Sequence, residues 1–186
     1  SGSDQTGASS VSGTIAVDTS DDGFGSIGLT VPQELVDMGL TSGGDAIGYT
    51  VSEDGKTITA TADGDEVFTL TLTGNETDGF GWTFDLTGEL DHPTGDGANV
   101  IAGLPFGVTV TDADGDSASA QIKIDVVDDV PTAVDDGVVT LEEGSNTVTG
   151  NVMTNDTEGA DGAEVTSFTY TDENGVEQTG DVGVEV

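Results

Sequence analysis

The sequence predicts an all-β protein, and within that class a β-sandwich. Three observations carry the prediction. Short runs rich in Val, Ile, Thr and Phe recur along the chain, too brief and too closely spaced for helices. Gly/Asp turns separate them, such as Glu53-Asp54-Gly55 and Ala62-Asp63-Gly64-Asp65. Two of the runs, Thr57-Ile-Thr-Ala-Thr61 and Val67-Phe-Thr-Leu-Thr-Leu-Thr73, alternate with period two and put threonine on the outer face. A strand buried on one side requires that pattern. Many short strands joined by frequent turns are the mark of a sandwich.

Taken in order, residues 1–11 read as a linker or a cloning remnant. Residues 12–130 read as one β-sandwich, with strands expected over 13–17, 26–31, 47–51, 57–61, 67–73, 82–86, 108–111 and 120–127. One short helix is expected over 32–38, because Pro32 stands at its start and Gly39 just past its end. Pro131 follows the last strong strand, and a domain boundary is expected there. Residues 131–186 then open a second set of strands, over 138–141, 147–152, 164–170 and 176–178. That segment is thin for an independent core. It is expected to be an incomplete repeat, or one completed by further chain.

The charge balance narrows the function. Asp and Glu number 37 against Lys56 and Lys123 alone, for a net charge of -35. Nucleic-acid binding needs basic side chains to neutralise phosphates, so it is excluded as an expectation. Attraction to anionic membrane surfaces is excluded on the same ground. The absence of cysteine rules out disulfides and thiolate metal sites. No apolar run approaches the roughly 20 residues of a membrane-spanning helix, and no signal peptide is visible. Such low hydrophobicity with such high charge ordinarily means disorder. The strand pattern argues otherwise, provided the charge is neutralised.

The acids concentrate in Val108–Asp136, which has Lys123 as its only basic residue. An opposite charge within about 4–6 Å would relieve their repulsion. With so few basic side chains, a hard divalent cation held by carboxylate, Asn and backbone oxygens is the natural alternative, and calcium is the expected ion. Candidate ligands are Asp112, Asp114 and Asp116 in one turn, and Asp128, Asp129, Asp135 and Asp136 farther on. The turn opens like an EF-hand loop. It departs from one at the sixth position, Ser117, and at the twelfth, Lys123. The plain alternative is a solvated acidic hairpin tip. If 112–118 is a hairpin, its tip lies at one end of the sandwich and Asp125–Asp129 at the other end or along the edge, giving two sites. Asp18, Asp21 and Asp22 are candidates for a further site. Glu142-Glu143 reads first as a solvated turn and second as a ligand pair.

Other motifs have plainer readings. His92, the only histidine, precedes Pro93, and no spacing suggests a catalytic partner. A fixed loop is the expected role. Paired carboxylates can hydrolyse glycosides, but one Trp, two Tyr and six Phe offer little for a sugar-stacking cleft. Trp82 alternates with Phe80 and Phe84 and reads as core or half-core. Asn75-Glu76-Thr77 and Asn155-Asp156-Thr157 match the glycosylation sequon by coincidence.

A resemblance adds to this reading. The runs that carry it are Thr14-Ile-Ala-Val-Asp18 with Asp22-Gly23, Leu40-Thr-Ser-Gly-Gly-Asp45, Val67-Phe-Thr-Leu70, Leu90-Asp91-His92-Pro93, Val110-Thr-Asp-Ala-Asp-Gly-Asp116 and Val126-Val-Asp-Asp-Val-Pro131. With them, Gly13–Pro131 resembles one repeat of the very long calcium-dependent adhesins that bacteria export by type I secretion, the RTX adhesin class. Val130-Pro-Thr-Ala-Val-Asp-Asp136 and Gly150-Asn-Val-Met-Thr-Asn-Asp156 resemble the opening of a neighbouring cadherin-like repeat. The resemblance implies immunoglobulin- or cadherin-like sandwiches with calcium at their junctions. It implies that Asn155 and Asp156 face such a junction and join Asp128, Asp129, Asp135 and Asp136 as ligands. The chain departs from the class in lacking the GGxGxDxUx nonapeptides of calcium β-rolls.

The function so implied is structural. A calcium-stiffened extender, at the extracellular bacterial surface, holds a ligand-binding tip away from the cell for adhesion or biofilm formation. Its partners are neighbouring repeats of the same polypeptide, and a glycan or peptide is met through another domain. No enzymatic activity and no membrane insertion are expected. A calcium-dependent sugar- or peptide-binding module is the alternative. A merely halophilic acidic surface is a third reading.

Overall fold

In this computed structural model the described residues are 9–18, 23–92, 100–128, 132–137, 153–157, 165, 167–171 and 175–181. The chain divides into two compact units, with the boundary in sequence between Val130 and Pro131. In chain order the first unit carries β1 (Ser10–Ile15), β2 (Phe24–Thr30), α1 (Gln33–Asp37), β3 (Thr41–Ser42), β4 (Asp45–Ala46), β5 (Gly48–Val51), β6 (Thr57–Ala62), β7 (Asp65–Asn75), β8 (Gly79–Leu86), β9 (Val100–Asp112) and β10 (Ser117–Val127). The second carries β11 (Ser167–Thr171) and β12 (Glu177–Asp181), an antiparallel pair. A single bridge, Thr132 to Thr157, lies outside the named strands.

Side-chain alternation builds the larger sheet. β6 buries Ile58, Ala60 and Ala62 and turns threonines the other way. β7 buries Val67, Phe68, Leu70 and Leu72. Asp63 and Gly64, both at positive φ, make the two-residue turn between them, the turn whose twist suits an antiparallel pair. The finished sheet has the order β1-β8-β7-β6-β5, and the smaller one β10-β9-β2, all antiparallel.

The two sheets face each other across one apolar core. Phe68 and Phe84 from the larger sheet meet Phe106 of β9, each with ring centroids 5.9 Å apart. Leu104 and Phe106 are fully buried between them. Connectivity interlocks the layers. β1 pairs with β8, while the strands that follow each of them, β2 and β9, pair in the opposite sheet. Immunoglobulin-type sandwiches interlock two strand pairs in the same way. The protein is an all-β sandwich compatible with that class.

Several elements differ in extent from the sequence expectation. β9 starts at Val100, not near residue 108. Gly103, Pro105 and Gly107 interrupt the β-type run upstream of Val108. It remains a strand because β2 reaches β9 only as far as Gly107. Pro105 therefore has β10 on one side and no strand on the other, where its missing N–H leaves no partner waiting. Gly103, with φ +67, sits at the register shift and donates its N–H to Asp125 Oδ1 at 2.6 Å. β10 starts at Ser117, not at residue 120, and hydroxyl pairs Thr109–Ser119 (2.9 Å) and Thr111–Ser117 (2.8 Å) lock its first residues to β9. β1 includes Ser10 and Val11, within the expected linker. The helix forms, shorter by one residue at each end, and buries Leu35. Strands expected over 138–141 and 147–152 lie outside the described residues.

Candidate metal centre

The β9–β10 hairpin sets the candidate site at its tip. Asp112, the last residue of β9, folds its side chain over the turn. Its Oδ1 accepts N–H bonds from Gly115 at 2.9 Å and Asp116 at 2.8 Å. Its own N–H donates to the Asp116 carbonyl at 3.0 Å. Gly115 takes φ +105, a conformation that side chains resist. This tight wrap brings carboxylate oxygens of Asp112, Asp114 and Asp116 within 4.8 Å of one another. The three can together hold a metal ion.

The electrostatics of the trio fit such an ion. Asp112 and Asp114 are close enough for one carboxyl to donate to the other when it is protonated. That bond, and then the charge of Asp112, push the Asp114 carboxyl above the usual aspartate range. The same bond from Asp114, aided by backbone N–H groups, holds Asp112 below it. Two carboxylates thus converge on one point, where a cation would neutralise them as a proton does in acid. The donor set is all carboxylate oxygen, which suits a hard ion such as calcium or magnesium. Of the two lysines, Lys56 is engaged elsewhere, donating from Nζ to the Ile27 carbonyl at 2.7 Å.

The other expected ligands fall into separate places. Asp18 lines the same cleft as Asp112 and Asp116, so the sandwich brings together residues that the sequence reading had kept apart. Asp21 and Asp22 lie outside the described residues, as do Asp129, Glu142 and Glu143. Asp128 follows the far end of the eleven-residue β10. At roughly 3.3 Å per residue it stands about 35 Å from the hairpin tip, too far to share its ion. There it approaches His92, Oδ1 to Nδ1, at 3.7 Å. His92 is fixed between two carbonyls, Leu90 O at 2.8 Å from Nδ1 and Val126 O at 3.3 Å from Nε2. In the second unit Asp156 Oδ1 accepts the Val134 N–H at 2.7 Å, and Asn155 Nδ2 donates to the Asp135 carbonyl at 3.2 Å. These contacts tie residues 132–137 to 153–157. Asp135 caps the Gly137 N–H at 2.9 Å, and Asp136 is exposed. Among the described residues, the hairpin trio is the one cluster of three acidic groups close enough to share an ion.

Sequence reasoning missed one engaged acid, Asp91. Its carboxylate accepts the Gly43 and Gly44 N–H groups, both at 2.8 Å. The side chain of Thr41 and these two bonds hold its carboxyl below the usual range, the threonine contributing most. Gly43-Gly44, with both φ values positive, was the available signal. Two adjacent N–H groups on one side of such a turn form an anion cradle. Neither a protein-family model, nor a curated protein, nor a solved structure matches this chain.

Proposed function

We propose that this protein is a calcium-stabilised extender module of a bacterial surface adhesin of the RTX class. In this reading it lies outside the cell, joins neighbouring repeats of one polypeptide, and holds a ligand-binding tip away from the surface. The observation that carries it is the convergence of Asp112, Asp114 and Asp116 at one hairpin tip of a chain with a net charge of -35. An acidic chain of this kind gains stability from any cation that binds only its folded state. Calcium is favoured over magnesium because a three-carboxylate turn completed by water and carbonyls suits its larger, looser coordination. No catalytic role is proposed.

Isothermal titration tests the reading. Asp114→Ala and Asp116→Ala should each weaken calcium binding by about tenfold or more. Asp63→Ala, in the plain β6–β7 turn, should leave it unchanged. Equal behaviour of all three would reduce the hairpin to a solvated acidic tip.

A further inference from the structure

Among the described residues the sandwich is open along one side, between β1 and β10, each the terminal strand of its sheet. A cleft of about 660 Å³ there is walled by residues 14–18 on one side and 117–123 on the other. A second, of about 350 Å³, is walled by residues 9–11 and 123–127. Trp82 and Lys123 line both, so the two form one groove.

The lining has a telling periodicity. A strand that shows its face to a cavity contributes every second residue. Trp82, Phe84 and Leu86 of β8 do so, as do Val108 and Val110 of β9, and they make the floor. β10 contributes every residue from 117 to 127, and the opposite wall is also made of consecutive residues. Those walls are strand edges, whose backbone groups point into the groove. A groove walled by edges and floored by the inner faces of two sheets has the shape of one absent strand.

Side chains on the inner face of β10 agree. Ile122, Ile124 and Val126 are buried, but Ala118 and Ala120, in the same alternating series, are exposed. They are small where a neighbour's side chains would need room. Across the groove, the Trp82 indole lies over Gly13, where a Cβ would come within 2.7 Å of the ring. That glycine lets a wide aromatic surface lie flat along the floor.

We propose that this groove accepts an extended segment of another polypeptide, which adds as a new strand to the edge of β10 away from β9, terminal among the described strands. Its alternate apolar side chains would rest on Ala118, Ala120 and Trp82, with main-chain hydrogen bonds supplying affinity. Charge selects the occupant. Asp18, Asp112 and Asp116 line one end of the groove in a chain of net charge -35. The segment therefore carries Lys or Arg at that end, and a second copy of this acidic chain is disfavoured. The strand addition does not depend on the metal at the hairpin, and with calcium on Asp112 and Asp116 the basic preference rests on Asp18 and the remaining net negative charge.

A phage-displayed library of random peptides of about twelve residues, enough to span β10, provides the probe. It is panned against the whole protein in millimolar calcium. Enriched peptides should be apolar at every second position and basic toward one terminus. The synthetic peptides should shift the emission of Trp82, the only tryptophan. Affinity should fall by about tenfold or more in Ala120→Arg, and also when alternate peptide nitrogens are methylated on the unchanged protein. Peptides without the period, binding indifferent to backbone methylation, or no enrichment over an Ala120→Arg bait that melts like the parent would overturn the proposal.

Discussion

Asp114 concentrates the charge problem of the hairpin in one side chain. Its carboxyl is raised because Asp112 is already there, so a cation and a proton compete for one place. The sign follows directly. Lowering the pH protonates Asp114 before an ordinary aspartate, so calcium affinity should begin to fall while isolated carboxylates are still ionised. Titrations repeated at decreasing pH should show this early loss, and Asp114→Asn should remove it together with most of the affinity. A pH profile of the parent that matches ordinary aspartates would contradict the influence of Asp112 on Asp114. Gly13 is the apolar counterpart. A methyl there would meet the Trp82 ring at 2.7 Å, so Gly13→Ala should push the indole from its place and cost about 1–3 kcal/mol as overpacking. Near-ultraviolet circular dichroism and a thermal melt would register both effects.

At the scale of elements, β3–β4 is the shortest named strand pair, two residues on each side. Such a ribbon does not hold itself together. Asp91 holds it through Gly43 and Gly44 from a distant part of the chain, and the Asp91 N–H donates to the Thr41 carbonyl at 2.9 Å. Asp91→Ala should speed amide exchange across Thr41–Ala46 and cost about 1 kcal/mol, since partial exposure discounts charged hydrogen bonds. A depressed carboxyl stabilises the fold above its unfolded pKa, and the gain is lost as pH falls through the folded value. Acid should therefore reproduce the mutant's exchange pattern in the parent, and unchanged exchange in Asp91→Ala would show the ribbon to be held by other contacts. The same elements mark what was legible in the sequence. β6 and β7 announce themselves through threonine alternation, and Pro32 with Gly39 brackets α1. β9 hides because its Gly and Pro residues mean a bulge and a one-sided strand, which only the extent of β2 explains. The hairpin trio was legible because its three carboxylates are close in sequence. The Asp91 cradle and the β1–β10 groove join residues far apart in the chain, and no local pattern reveals them.

For the whole molecule the question is how a chain with net charge -35 remains compact. Self-repulsion opposes the folded state of any strongly charged chain. The core that resists it runs from Ile27 to Val126 and joins both sheets through Phe68, Phe84 and Phe106. A cation bound only by the folded form adds RT ln(1 + [L]/Kd), about 2.7 kcal/mol at a hundredfold excess over Kd. For a unit of this size that corresponds to a rise in Tm of roughly 10 °C. Differential scanning calorimetry in EDTA, in millimolar calcium and in millimolar magnesium should therefore give three transitions, calcium highest and magnesium between. Concentrated sodium chloride in EDTA separates the metal reading from a halophilic surface. At 1 M salt the Debye length falls to about 3 Å, so diffuse repulsion between separated acids is screened. Salt alone should recover only part of the calcium effect, because diffuse screening does not replace an ion ligated directly by the converging carboxylates of Asp112, Asp114 and Asp116. Full recovery by sodium chloride, with no further gain from calcium, would mean that the acids act as a solvated surface and the hairpin holds no specific ion.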